Sequence, residues 1–92
     1  MKNFKTILDV RSIGEYAEGR VESSINIPLD QIQERLDEIK SLAQPIVLCC
    51  QSGGRSGVAT EFLTKEGVNC FNGGGWEQVD QAIENGELCL EN

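Results

Sequence analysis

The sequence predicts an α/β fold: a small parallel sheet with helices on both faces. Three observations carry this expectation. Short apolar and β-branched runs alternate along the chain with segments whose apolar residues recur at helical spacing. The run Ile46-Val47-Leu48-Cys49-Cys50 follows Pro45 and holds no charged residue, which suits a short buried strand. A glycine-bearing loop, Gln51-Ser52-Gly53-Gly54, comes directly after it, and a helical pattern begins at once.

The elements follow in order. Residues 4–10 read as a first strand, ending in the polar cluster Asp9-Val10-Arg11. Ser12 with Glu15 three residues later has the spacing of a capping box and opens a short helix that Gly19 closes. Ile25-Asn26-Ile27-Pro28 is extended, because a residue before proline avoids the helical region. Residues 30–42 carry Ile32, Leu36 and Ile39 at helical spacing and read as one helix. After the central strand, Ser56 is the candidate N-cap of a helix bearing Val58, Ala59, Phe62 and Leu63, which stops at Gly67. Val68-Asn69-Cys70-Phe71 reads as a strand, Asn72-Gly73-Gly74-Gly75 as a sharp turn, and Trp76, Val79 and Ile83 as one face of a last helix. Leu88-Cys89-Leu90 is a tail strand or a packed extension.

Ninety-two residues, with a formal charge of −7, describe one domain over residues 1–92 and disfavour nucleic acid or an anionic membrane as a partner. The charge is uneven: six acidic and no basic residues follow Lys65, a solvated end or a face for a basic protein. No segment approaches membrane-spanning length, and residues 1–6 lack an apolar stretch of signal-peptide length. The four cysteines, Cys49, Cys50, Cys70 and Cys89, have no metal-ligand spacing and include an adjacent pair. Reduced thiols and a cytoplasmic setting are expected, with no metal and no organic cofactor. There is no histidine, so a nucleophile here must be activated without an imidazole base.

Ligands in such sheets bind beyond the carboxyl ends of the strands, which is where Asp9, Arg11 and Cys50 fall. A thiol at the mouth of the loop meets converging backbone N–H groups and the cation of Arg55, both of which favour thiolate. If the strand continues through both adjacent cysteines, they point to opposite faces and only one reaches the loop. The other is then a small buried hydrophobe, or else a resolving thiol. Cys70 and Cys89 read as packing residues. Arg55 has two readings: a charge acting on the thiol and its substrate, or a guanidinium held by Asp9 or Glu15 that shapes the loop. Arg11 either pairs with Glu15 or contacts an anion. Trp76 reads as core or pocket wall.

Two blocks of sequence resemble the rhodanese family of sulfurtransferases. The first is Leu8-Asp9-Val10-Arg11, Glu15-Tyr16, Gly19 and Ile25-Asn26-Ile27-Pro28-Leu29. The second is Val47-Leu48-Cys49-Cys50-Gln51-Ser52-Gly53-Gly54-Arg55-Ser56, and Gly73-Gly74-Gly75-Trp76 is similar to a later glycine-rich segment of the family. The chain looks like a minimal member, without the usual extra strand and helix before Asp9. The resemblance implies a rhodanese-like fold and a Cys50 nucleophile that takes a sulfane sulfur from thiosulfate or a related donor as a persulfide. Cyanide or a thiol, a protein thiol among them, is the implied acceptor. It implies substrate contacts from the loop residues Gln51, Ser52, Gly53, Gly54 and Arg55, with Asp9, Arg11 and Ser56 in support. Position 51 is Gln where relatives are frequently basic, which weakens attraction for an anionic donor.

A competing register starts at Cys49: cysteine, five residues, Arg55, Ser56, the spacing of the related cysteine phosphatase loop. That pattern wants a glycine three residues after its cysteine and a histidine before it, where this chain has Ser52 and Leu48. Counted from Cys50, Gly53 stands at the glycine position. The alternatives to sulfur transfer are therefore a phosphatase or arsenate-reductase-like enzyme using Cys49, and a persulfide carrier or protein-binding module without catalysis.

Overall fold

The computed structural model describes residues 2–91. Its centre is a four-stranded, wholly parallel sheet. The strands are β2 (Thr6–Asp9), β3 (Ile25–Asn26), β4 (Ile46–Cys50) and β5 (Cys70–Gly75), in the order β3-β2-β4-β5. The helices are α1 (Ile13–Glu18), α2 (Leu36–Lys40), α3 (Gly54–Lys65) and α4 (Trp76–Glu84). A separate parallel pair joins β1 (Lys2–Phe4) to β6 (Leu88–Leu90), so the tail forms a strand. None of the described helices is long and apolar enough to cross a membrane.

The central strand β4 is buried at all five positions, and its side chains divide the molecule into two apolar layers. Ile46, Leu48 and Cys50 belong to one cluster with Ile39 of α2 and Ala59 and Leu63 of α3. Val47 and Cys49 belong to the other, with Phe4, Ile7 and Val79 of α4. The two-residue period of a strand produces this division, and an apolar run without alternation is what a strand covered on both faces requires. The adjacent cysteines thus face opposite sides.

The capping box at α1 forms as its spacing predicts: Glu15 donates its N–H to Ser12 Oγ at 3.3 Å, and Ser12 donates its N–H to Glu15 Oε1 at 3.1 Å. Other elements differ from expectation. The strand expected over residues 4–10 is split at Lys5 into β1 and β2, which lie in different sheets. A strand therefore does precede the Asp9 block, contrary to the minimal form expected, and no helix separates it from β2. The single helix expected over residues 30–42 is a 3-10 turn at Leu29–Gln31 followed by α2. Its apolar spacing still places Ile32 and Ile39 in the core, because so short a helix takes its form from packing rather than from its own hydrogen bonds.

Ser56 is not the N-cap of α3. The helix starts at Gly54, and Gly53, with φ of 106°, is the cap. That left-handed backbone is costly for any residue with a Cβ. The expected turn over residues 72–75 is instead the end of β5. The pairing with β4 steps from Leu48–Asn72 to Cys49–Gly74, leaving Gly73 as a bulge. A Cβ on Gly73 would lie 2.6 Å from Val79 Cγ2 and 2.7 Å from Val47 Cγ2, so this glycine is needed for close approach.

Candidate active site

The carboxyl end of β4 delivers Cys50 to the base of the loop, and the first turn of α3 closes over it. Cys50 is itself buried. Its Sγ accepts the Gly53 N–H at 3.0 Å and lies 3.3 Å from Ser56 Oγ. Burial pushes the Cys50 thiol up, but hydrogen bonds from the Ser56 hydroxyl and from the backbone N–H groups of Ser56, Gly53 and Ser52 outweigh it. The net shift is below the ordinary thiol value. Ser56, freed from capping, puts its hydroxyl on the sulfur.

Cys49 has the opposite environment. Burial drives its thiol far above the ordinary range, and the charge of Asp9 adds to this. With no exposed surface and apolar neighbours, it is a core residue on the face away from the loop.

Arg55 projects from α3 to α1, where its Nη1 and Nη2 donate to the two carboxylate oxygens of Glu15 at 2.7 and 2.9 Å. A carboxylate thus holds the guanidinium, as one reading of Arg55 expects, and the charge of Cys50 also acts on it. The Arg55 bond, foremost, and the Ser12 cap hold Glu15 down at about 2. A carboxylate whose folded value is depressed contributes stability above its unfolded value and loses it as pH falls through the folded one. The Glu15 contribution is therefore complete above about pH 4.5 and is lost towards about 2. The Glu15→Gln variant should show a shallower fall of urea midpoint across that acid window than the parent. Parallel pH profiles would reject the pairing.

Arg11 does not pair with the Glu15 carboxylate, contrary to one of its two readings; the Asp9 carboxylate holds it, and it also lines a cleft with Gln51 and Trp76. Its guanidinium and backbone N–H make four hydrogen bonds of 2.8–3.0 Å to the buried Asp9 carboxylate. The same guanidinium donates to the carbonyls of Glu15 at 3.2 Å and Gly19 at 2.6 Å. It also lies 5.0 Å from the Trp76 ring centre. Asp9 competes successfully because it is two residues away at the end of β2, whereas the Glu15 carboxylate is engaged by Arg55. Asp9 and Arg11 thus anchor α1 at the Glu15 carbonyl and at its C-cap Gly19, and α1 presents Glu15 to Arg55.

The loop residues Gln51, Ser52 and Gly54 are exposed, with Gly53 and Arg55 half-buried. A cleft of about 150 Å³ beside them is lined by Arg11, Glu15, Glu18, Gln51, Trp76 and Glu77, so Trp76 serves as pocket wall while packing on the second core layer. Glu18 and Glu77 have no ion-pair partner among the described residues. A larger groove of about 380 Å³, among Phe4, Ile7, Ile25 and Ile83, lies at the amino-terminal side of β2 and β3 and brings no thiol with it.

Sequence reasoning missed Asn72 as a site residue. Its Oδ1 accepts from Ser56 Oγ at 2.7 Å and from the Gly74 N–H at 3.0 Å, and its Nδ2 donates to the Gly53 carbonyl at 3.0 Å. No spacing signals this, because the pairing of β5 with β4 brings Asn72 to the loop.

Comparison with known proteins gives one family. A model described as Rhodanese-like domain matches residues 1–82. The uncharacterized protein YqhL of Bacillus subtilis is 39% identical over 61 residues, which are 66% of this chain and 48% of that protein. The chain thus spans about half the length of that relative. The thiosulfate sulfurtransferase PspE of Escherichia coli is 31% identical over 74 residues, 78% of this chain and 71% of PspE. Among solved structures, a rhodanese-related protein from Thermoplasma volcanium superposes with a TM-score of 0.73 at 34% identity, covering 89% of this chain and 79% of that one.

Proposed function

This chain belongs to the rhodanese-like sulfurtransferase family, and on that premise we propose that it transfers a sulfane sulfur through a persulfide on Cys50. The donor is thiosulfate or a related sulfane compound, and the acceptor is cyanide or a thiol. The observation that carries this reading is the environment of Cys50 Sγ. The Gly53 N–H lies 3.0 Å away and the Ser56 hydroxyl 3.3 Å away, at the start of a twelve-residue helix.

In the first half-reaction the Cys50 thiolate attacks the outer sulfur of thiosulfate. A sulfur–sulfur bond forms to Cys50, the bond to the sulfonate sulfur breaks, and sulfite leaves with that electron pair. In the second, cyanide or a thiolate attacks the terminal sulfur of the persulfide, which restores the Cys50 thiolate and releases thiocyanate or a new persulfide. The scheme is a double displacement, so ping-pong kinetics are expected. The N–H groups of residues 51–55 serve the negative charge at each stage as a preorganised cradle. Displacement at sulfur needs no electron sink, so no cofactor enters. Residues 1–92 act as one catalytic unit in this scheme, in a reducing compartment such as the cytoplasm that keeps its four cysteines free. The name of the Escherichia coli relative supports thiosulfate as the first donor to test. A phosphatase using Cys49 has no such support, because that thiol is buried on the other face.

The test is the intact mass after incubation with thiosulfate. The expected result is a gain of one sulfur atom, removed by cyanide with release of thiocyanate. No gain at millimolar thiosulfate would overturn the reading.

Charge at the cleft bears on the donor. Arg11 and Arg55 are each held by a carboxylate, while Glu18 and Glu77 line the cleft unpaired among the described residues. The approach of dianionic thiosulfate is opposed and then screened as salt is added. The loading rate should rise roughly two- to fivefold between about 10 and 150 mM ionic strength, over which the Debye length falls from about 30 to about 8 Å. A rate that falls with salt would show that Arg55 governs the approach instead.

A further inference from the structure

We propose that Asn72 is a positioning residue for the transfer: from β5 it holds in place two of the groups that touch Cys50 Sγ, the Ser56 hydroxyl and Gly53. This inference rests on Cys50 being the reactive thiol.

The amide orientation of Asn72 is fixed by its partners. Nδ2 must donate to the Gly53 carbonyl, and Oδ1 must accept from the Gly74 N–H, at 3.0 Å each. Oδ1 is therefore the atom 2.7 Å from Ser56 Oγ. Ser56 has one hydroxyl proton and two neighbours that can accept it, Asn72 Oδ1 and, at 3.3 Å, Cys50 Sγ. While Cys50 is a thiol, its S–H donates to Ser56 Oγ and the Ser56 proton rests on Asn72. When the thiol gives its proton to solvent, the Ser56 hydroxyl is free to turn to the sulfur. Asn72 thus holds Ser56 within reach of Cys50 in both states. Through the Gly53 carbonyl it also holds the left-handed residue whose N–H contacts the sulfur. Asn72 does not itself touch Sγ.

The charged groups around the loop make their hydrogen bonds to one another and to α1. Arg55 of α3 is bound to Glu15 of α1, and Arg11 is held by Asp9 at the end of β2 and by the Glu15 and Gly19 carbonyls. Among the described residues none of these hydrogen-bonds to Asn72, so a change at Asn72 reaches the thiol through Ser56 and Gly53. Cys49, the other titratable neighbour, faces the opposite layer.

The experiment is the pH profile of Cys50 alkylation by iodoacetamide, read at that residue by mass spectrometry, in the parent and in Asn72→Asp, Ser56→Ala and the double variant. Aspartate keeps the acceptor oxygen for Ser56 but sets a second acceptor against the Gly53 carbonyl. Asn72→Asp and Ser56→Ala should each raise the alkylation midpoint by about one unit. In the Ser56→Ala background the Asn72→Asp shift should fall to less than half, since part of its route is gone. Asn72→Ser, which adds no charge, should raise the midpoint in the same direction and replaces the aspartate variant if that fails to fold. An unchanged midpoint with only a lower urea midpoint would mean a structural role and overturn the proposal. An undiminished shift in the double variant would also overturn it, because the effect would then be charge acting through space. Alkylation requires no sulfur donor, so a parent protein that takes no sulfur from thiosulfate refutes the proposed function alone.

Discussion

Cys50→Ser should abolish sulfur loading by thiosulfate, to the level of the reagent blank, while Cys49→Ala loads at close to the parental rate. The two thiols are neighbours in sequence and have opposite surroundings. Cys50 receives an N–H from Gly53 and lies against the Ser56 hydroxyl, which favours the ion that attacks sulfur. Cys49 sits among Val47, Ile7 and Val79, where burial and the Asp9 charge hold its proton on. A serine hydroxyl at position 50 stays protonated in the accessible pH range and forms no persulfide, so the loss is of the nucleophile itself. Cys49→Ala removes one buried atom from a packed layer and should cost about 1–2 kcal/mol of stability without touching the loop. Intact masses of both variants, before and after thiosulfate and then cyanide, decide the matter. A Cys50→Ser protein that still gains a cyanide-removable sulfur would move the chemistry to another thiol.

The largest expected loss of stability comes from Asp9→Ala. The side chains of Asp9 and Arg11 are 0% and 3% exposed, and the guanidinium is held chiefly by that carboxylate. Taking away one partner of a buried ion pair leaves the other charge in a poorly solvating interior, at a cost of about 3–5 kcal/mol. Against total stabilities of about 5–15 kcal/mol for ordinary domains, that is a large fraction. Urea unfolding should show it as a lower midpoint with little change of slope. The site should suffer too, because Arg11 also binds the Glu15 carbonyl within α1 and the carbonyl of its C-cap Gly19. Glu15 would then meet Arg55 less well. A cost below about 1 kcal/mol would mean that the pair is replaceable by water and that α1 is held by other contacts.

Much of the fold was legible because it depends on local chemistry. The capping box at Ser12 and Glu15 and the apolar run of β4 register in neighbouring residues and appear where expected, and the spacing of Ile32, Leu36 and Ile39 marked core positions though not the single helix expected there. The loop after Cys50 was legible for the same reason, since its glycines and the helix beyond it are contiguous with the thiol. Gly73 and Gly74 misled because a glycine pair reads as a turn. The actual constraint on Gly73 is the contact with Val47 and Val79 from β4 and α4, together with a bulge, and Gly74 has a positive φ beside the Gln78 side chain; none of these is visible in the local sequence. Ser56 misled in a related way: its hydroxyl has a closer claim from Asn72 and Cys50 than from the helix end.

The sequence by itself determined the α/β class, the strand–loop–helix unit around Cys50 and the short list of candidate thiols, because period, capping and loop composition act over a few residues. Only the tertiary structure decided what each charged or polar group near the thiol is bound to. Arg55 goes to Glu15, forty positions away, Arg11 goes to Asp9, and Asn72 reaches the loop across sixteen residues from Ser56. The reason is physical: hydrogen bonds and ion pairs form between atoms about 3 Å apart in space, and which side chains reach that distance depends on how the strands pair and the helices pack.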